Sequence, residues 1–358
     1  MIVSSLARAL GAVVLAAAIV ALVLLALGAS PIGAFVALAE GAFGNWYALT
    51  DTVVKATPLV FTGLAISVSF SGALWNIGAD GQLVAGAIAA GAIGPWLGGW
   101  PRPAAIAILL AAGAAGGALW GGICGWLRAR RDTNEVISTI MMNFVAAQLL
   151  SWSVHGPLIE ASRAYPASTP IAESAHMYMF FSPSRLNLGI VLAIALAVGC
   201  YLFLFKTAAG FELRAMGRNR RAATFFGIPT ARLTILILTV SGAMAGIGGA
   251  VQVSAITHRL YEKMSPGWGF EAIAVALVAR LNPIGIIFSS LLFGALDNGS
   301  QAVQRGQGVS AELVQVIQAL VIIILLAFDT PMFDRLRNSL SAAARPVSRT
   351  TTTELSDA

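Results

Sequence analysis

The sequence predicts an all-α membrane protein of about ten transmembrane helices. Hydrophobic residues make up 58% of the 358-residue chain and charged residues only 11%, whereas a soluble domain carries roughly a quarter charged residues. The mean hydropathy is +0.82. Stretches such as 10–28, 103–127, 188–205, 233–256 and 312–328 are nearly uncharged and long enough to cross ~30 Å of hydrocarbon as helices. The sequence shows none of the shorter segments of alternating polarity that a transmembrane β-barrel needs.

The first span is placed at 10–28. It follows a single basic residue, Arg8, and its ~19 apolar residues are long for a signal-peptide core, so it is expected to be retained. The others fall near 52–71, 76–97, 104–127, 135–156, 188–205, 233–255, 268–281, 284–298 and 312–328. Only Ser71–Trp75 separates the second from the third. The eighth and ninth are short and meet at Leu281-Asn282-Pro283. Short segments interrupted by Gly or Pro suggest broken helices, which a membrane tolerates only where protein or a polar cavity covers the freed backbone. Residues 1–332 are read as one transmembrane domain. The tail 333–358, rich in Ser, Thr and Ala, is expected to be disordered.

The formal charge is +6, but the basic residues sit at the ends of apolar segments. Orientation in a membrane requires them there, so nucleic acid is not an expected partner. Arg8, the run Arg128-Ala129-Arg130-Arg131, the loop 206–232 and the tail arginines Arg335, Arg337, Arg345 and Arg349 share one side of a ten-span topology. That side is expected to be the cytoplasm, with both termini there. The opposite loops, 29–51 and 157–187, are longer and poor in Lys and Arg.

Gly113, Gly117, Gly121 and Gly125 recur every fourth residue, as do Gly242, Gly246 and Ala250. Small residues at that spacing let helix backbones approach closely. Each stripe precedes a related string, Asn134-Glu135-Val136-Ile137 and Phe270-Glu271-Ala272-Ile273, a faint internal repeat. Cys124 and Cys200 lie inside apolar segments and read as small core residues.

Three polar clusters interrupt this background. In Asn76-Ile77-Gly78-Ala79-Asp80-Gly81-Gln82, the side chains can cap a helix N-terminus or line a pore. Glu135 opens the fifth span, where it complements the helix dipole and is expected to pair with Arg130 or Arg131. Asn143 lies two turns deeper and needs a partner, in another helix or in a solute. Glu271 is an ionisable residue within a span and so a functional candidate, unless it forms a static pair with Arg280. Asn282 follows in Arg280-Leu281-Asn282-Pro283-Ile284-Gly285.

The loop from Gly210 to Pro229 is basic and long enough for one short amphipathic helix. Leu213, Met216, Phe225 and Phe226 supply apolar points of contact. A helix on the lipid surface is one reading; docking on a soluble partner is the preferred one. Several chemistries are excluded. The lysines are Lys55, Lys206 and Lys263, and none follows a glycine, so the chain has no P-loop. His155, His176 and His258 are scattered, at a span end or outside the spans, without an H-E-x-x-H, which disfavours a zinc protease. No G-x-S-x-G elbow occurs. The chain is expected to be a transport subunit rather than an enzyme, with no metal or cofactor of its own.

Val60-Phe61-Thr62-Gly63-Leu64-Ala65, the 76–82 string, Asn134 to Asn143 and Arg280 to Gly285 together resemble bacterial ABC importer permeases of the nucleoside and simple-sugar branch. The match runs over about residues 50–300. Such permeases are similar to the ribose and branched-chain amino-acid permeases, and the resemblance implies their ten-span, type II-like importer fold in the bacterial inner membrane. It implies two permease subunits, identical or homologous, around one path. It also implies a cytoplasmic ATPase that binds the ATP, commonly with both cassettes in one chain, and an extracytoplasmic binding lipoprotein or periplasmic protein. The coupling helix of the family maps onto about 213–228, including Arg214, Gly217, Asn219, Ala222, Ala223 and Gly227. The expected substrate path is Asn76, Asp80, Gln82, Asn143, Glu271 and Asn282. Asp80 departs from the family, which more often has Glu there; the carboxylate is kept. The alternatives are a pentose or other sugar as cargo, or an ion-coupled secondary transporter with Asp80, Glu135 or Glu271 carrying the proton.

Overall fold

The computed structural model describes residues 11, 15, 17–25, 30–181, 183–307 and 316. Residues 32–314 form one compact unit, and 1–31 with 315–358 are grouped apart from it. Of the expected first span, 17–25 is helical. The expected tenth span and the tail lie outside the described residues, residue 316 excepted.

Eleven further helices follow among the described residues: α1 (Pro31–Phe43), α2 (Trp46–Ser71), α3 (Ala79–Ile93), α4 (Arg102–Arg131), α5 (Glu135–His155), α6 (Leu188–Lys206), α7 (Ala208–Arg218), α8 (Arg220–Phe225), α9 (Thr230–Gln252), α10 (Trp268–Val278) and α11 (Pro283–Gln307). Only isolated β-bridges occur among these residues. Among the described residues, five helices, α2, α4, α5, α6 and α9 with its π-helical extension to Thr257, are long and apolar enough to span a membrane. The helix α1 occupies much of what the sequence suggested was a loop at 29–51. Thirteen residues are too few for a span, but the Ser30-Pro31 start is a helix-initiation signal.

Two helices form the centre. The apolar window of α2 is 78% buried and that of α9 is 67% buried, against 28% for α4, α5 and α6. The lower figure fits helices that turn one face to lipid. The two small-residue stripes pack against each other, antiparallel. A Cβ on Gly117 would fall on the Gly242 carbonyl oxygen, and one on Gly113 would meet Ala250. Backbones this close gain dispersion contacts that lipid cannot replace. Cys124 and Cys200 are free and buried, as expected of core residues.

The connection 157–187 is a fitted cap. Ile171 donates its N–H to the His258 carbonyl at 2.9 Å and Met177 to Ser254 at 3.0 Å. Arg259 pairs with Glu160 at 3.0 Å. The histidines are not all scattered: the rings of His176 and His258 stack with centroids 4.0 Å apart.

Candidate functional site: a broken-helix junction and a helical hairpin

Between α2 and α3 the chain runs without helix through residues 74–78. Its backbone must find partners elsewhere, and side chains of α5 provide them. Asn143 Nδ2 donates to the Ile77 carbonyl at 2.9 Å, and the Ile77 N–H donates to Thr139 Oγ1 at 3.3 Å. Asn143 Oδ1 accepts from the Gly81 N–H at 2.8 Å, satisfying an orphan donor in the first turn of α3. Asn143 therefore makes interhelical bonds with both ends of its amide.

Asn76 and Gln82 are 0% and 1% exposed and form a reciprocal amide pair, with Asn76 Nδ2 to Gln82 Oε1 at 2.9 Å and Gln82 Nε2 to Asn76 Oδ1 at 3.1 Å. Asn76 Nδ2 also donates to Ser241 Oγ at 2.8 Å, and Ser241 donates to the Ala65 carbonyl at 2.6 Å. This chain of bonds ties the break to the two central helices.

Capping is only partly the local arrangement that the motif suggested: Asn76 Oδ1 accepts from the Gly78 N–H at 3.0 Å. Gly78, the N-cap of α3, makes no side-chain cap. Asp80 instead caps α10: its Oδ1 accepts from the Gly269 N–H at 3.0 Å and from Ser265 Oγ at 2.7 Å. Two short helices thus begin at one carboxylate, where both helix dipoles favour negative charge. Asn282, which is exposed, caps α11 through the Ile284 N–H at 3.0 Å. Glu271 lies half-buried in the first turn of α10. Glu135 pairs with Arg128 at 3.0 Å rather than with Arg130 or Arg131, because Arg128 is one turn back on the face turned toward α5.

The loop 206–232 holds two helices instead of one. Asn219 ends α7 and N-caps α8 through the Ala222 N–H at 3.0 Å. Leu213 and Met216, at 1% and 2% exposure, face the bundle and anchor the hairpin, so they are not contacts for a partner. Ala223 is buried with them. Phe225 and Phe226 are 88% and 81% exposed. Arg214 lies over the Phe205 ring, 5.1 Å from its centroid. Gly217 abuts the end of α2 so closely that a Cβ would fall on the Ser71 carbonyl oxygen. Gly227 has a φ of +82°, a left-handed value that glycine adopts without strain. Arg214, Gly217, Asn219, Ala222, Ala223 and Gly227 are therefore gathered in one hairpin, remote in sequence from the junction but in contact with its leading edge.

A family model described as "Branched-chain amino acid transport system / permease component" matches residues 48–326. The chain belongs to this permease family. The permease is 34% identical over 318 residues to the guanosine ABC transporter permease protein NupP of Bacillus subtilis, covering 87% of this chain and 90% of the relative. It is 31% identical over 330 residues to the glucose ABC transporter permease protein TsgB13 of Haloferax volcanii, covering 88% and 86%. It is 32% identical over 311 residues to the nucleoside ABC transporter permease protein NupB of Lactococcus lactis, covering 84% and 85%. No solved structure matches it. The protein is thus an integral membrane permease subunit of an ABC transport system, working with an ATPase and a substrate-binding partner. An ion-coupled secondary transporter is set aside.

Proposed function

We propose that this permease forms the path for nucleosides in an ATP-driven importer of the bacterial inner membrane, with both termini cytoplasmic. The relatives named for guanosine and nucleosides support that cargo. The relative named for glucose keeps a sugar as the second reading. The path is expected to lie between this chain and a second permease, identical or homologous. A double-cassette ATPase sits below and a binding lipoprotein or periplasmic protein above. On this reading ATP stays on the ATPase.

The contact of Gly217 with Ser71 carries the mechanism. The ATPase grips the exposed Phe225–Phe226 edge and the arginines of α7 and α8. Leu213 and Met216 make the hairpin move with the bundle, and Gly217 passes the displacement to the end of α2. The next residues are the break that Asn76, Gln82 and Asn143 brace. Solute passes beside this junction, near Asp80, Glu271 and Asn282, as the halves of the bundle rock.

The test uses the complete complex in liposomes. Arg214→Ala and Gly217→Val are expected to lower uptake and loosen its coupling to ATP hydrolysis. Unchanged ATPase binding and unchanged uptake in both variants would show that the lever is wrongly assigned.

A further inference from the structure

The amides of the junction answer one another within the chain. The seam between α2 and α11 is built differently. Lys55 Nζ of α2 lies 3.1 Å from Asp297 Oδ2 of α11, with the two side chains 18% and 43% exposed. The ammonium is mostly shielded from solvent and pairs with that carboxylate, and among the described residues no second protein acceptor takes its other N–H donors. Glu271 on α10 is within electrostatic range of Asp297. Asn298, 6% exposed, fastens the seam by donating to the Ala48 carbonyl at 2.9 Å and to Thr52 Oγ1 at 3.2 Å.

Polarity continues along both helices. One turn from Lys55 stands Asp51, and one and two turns from Asp297 stand Gln301 and Arg305. With Glu40, Asn45 and Arg185 these residues line a cleft of about 270 Å³. A buried pair meant only for packing gains most when every donor is satisfied. Here Lys55 keeps N–H donors beyond its pair with Asp297, and the pair lies one turn inward of the residues that line an open polar cleft. Charges within spans are costly and mark solute routes. The groups match an uncharged, polyhydroxylated solute: carboxylates accept from hydroxyls, while an ammonium and amides donate to ring nitrogens and carbonyl oxygens.

We infer that the α2–α11 seam is a solute-binding segment of the translocation path, in which Lys55 donates to the solute and Asp51 and Asp297 accept from its hydroxyls. This deepens the proposed function and rests on its nucleoside or sugar cargo. The motifs at 76–82 and 134–143 do not include these residues.

The experiment measures radiolabelled uridine and ribose uptake by the complete complex in liposomes, with thermal unfolding of each variant alongside. Lys55→Met and Asp297→Asn are expected to lower uptake about tenfold and to raise the solute concentration for half-maximal uptake. The exchanged pair, Lys55→Asp with Asp297→Lys, is expected to regain stability but not uptake, since a static pair tolerates exchange and a solute contact does not. Recovery of both by the exchanged pair overturns the inference, as does wild-type uptake by Lys55→Met; in either case uridine or ribose transport by the wild type leaves the cargo reading standing. A wild-type complex that moves neither solute overturns the cargo reading and the inference together.

Discussion

At the start of α3, Asn76, Gln82 and Asn143 are buried and hydrogen-bonded to one another or to nearby backbone. At the α7–α8 hairpin, Arg218, Asn219, Arg221, Phe225 and Phe226 are exposed. The junction spends its polar groups on holding an unwound segment inside an apolar bundle. The hairpin is anchored by Gly210, Leu213, Met216 and Ala223, with Gly217 against the end of α2, and turns its five exposed residues just named outward. A polar or apolar residue therefore reveals its use by which side of this divide it occupies. Substitutions at the junction should act on stability, and those at the hairpin's outer edge on association.

The largest effect is expected where neither region can yield. Gly117→Leu inserts a side chain between α4 and α9 and should cost about 3 kcal/mol, read as lost folded yield or early thermal unfolding in detergent. At the junction itself, Asn143→Leu leaves the Gly81 N–H and the Ile77 carbonyl without partners. A loss of about 2 kcal/mol is expected. An unchanged melting temperature would mean that the unwound segment is held some other way.

A smaller effect belongs to the cap over 157–187. Burial, and then the neighbouring His176, hold His258 below the usual histidine range. The unfolded chain consequently binds more protons as pH falls through about 6.5. The stability from a neutral His258 is present above that pH and is lost on acidification through the folded value. The protection of the amides in 171–177, taken relative to their intrinsic exchange at each pH, should fall between about pH 7.5 and 5, and His258→Gln should flatten that dependence. The smallest change in stability is expected for the paired substitution Phe225→Ala and Phe226→Ala, within about 0.5 kcal/mol. The same variant should weaken association with the ATPase about tenfold, measured by co-purification at graded concentrations. A destabilised variant with normal association would invert the comparison.

Much of this was legible in sequence because it is local. Apolar runs announced the long helices, and four-residue spacing announced the glycine stripes that α4 and α9 bring face to face. The loop 206–232 stood out by its charge. What escaped was the pairing of distant residues. Nothing near Asp80 says that it will cap a helix beginning at Trp268, and nothing near His176 points to His258. Nothing in the sequence links Lys55 to Asp297, 242 positions away by the difference of their numbers. The interruption at Asn219 had a visible sign, since Asn is a favoured N-cap. The loop's continuous mix of basic and apolar residues masks it.

The helix starts at α3 and α10 bear on how the protein is made. The first turn of α3 is completed by Asn143, some sixty residues later in the chain, and that of α10 by Asp80, far earlier. Neither segment can settle alone among lipid tails, where an unanswered N–H costs several kcal/mol. During synthesis α3 is therefore expected to settle only once α5 has emerged, and α10 only once Asp80 is in place to receive it. Assembly of this bundle is thus expected to follow the order in which these polar partners emerge along the nascent chain, not hydrophobicity alone.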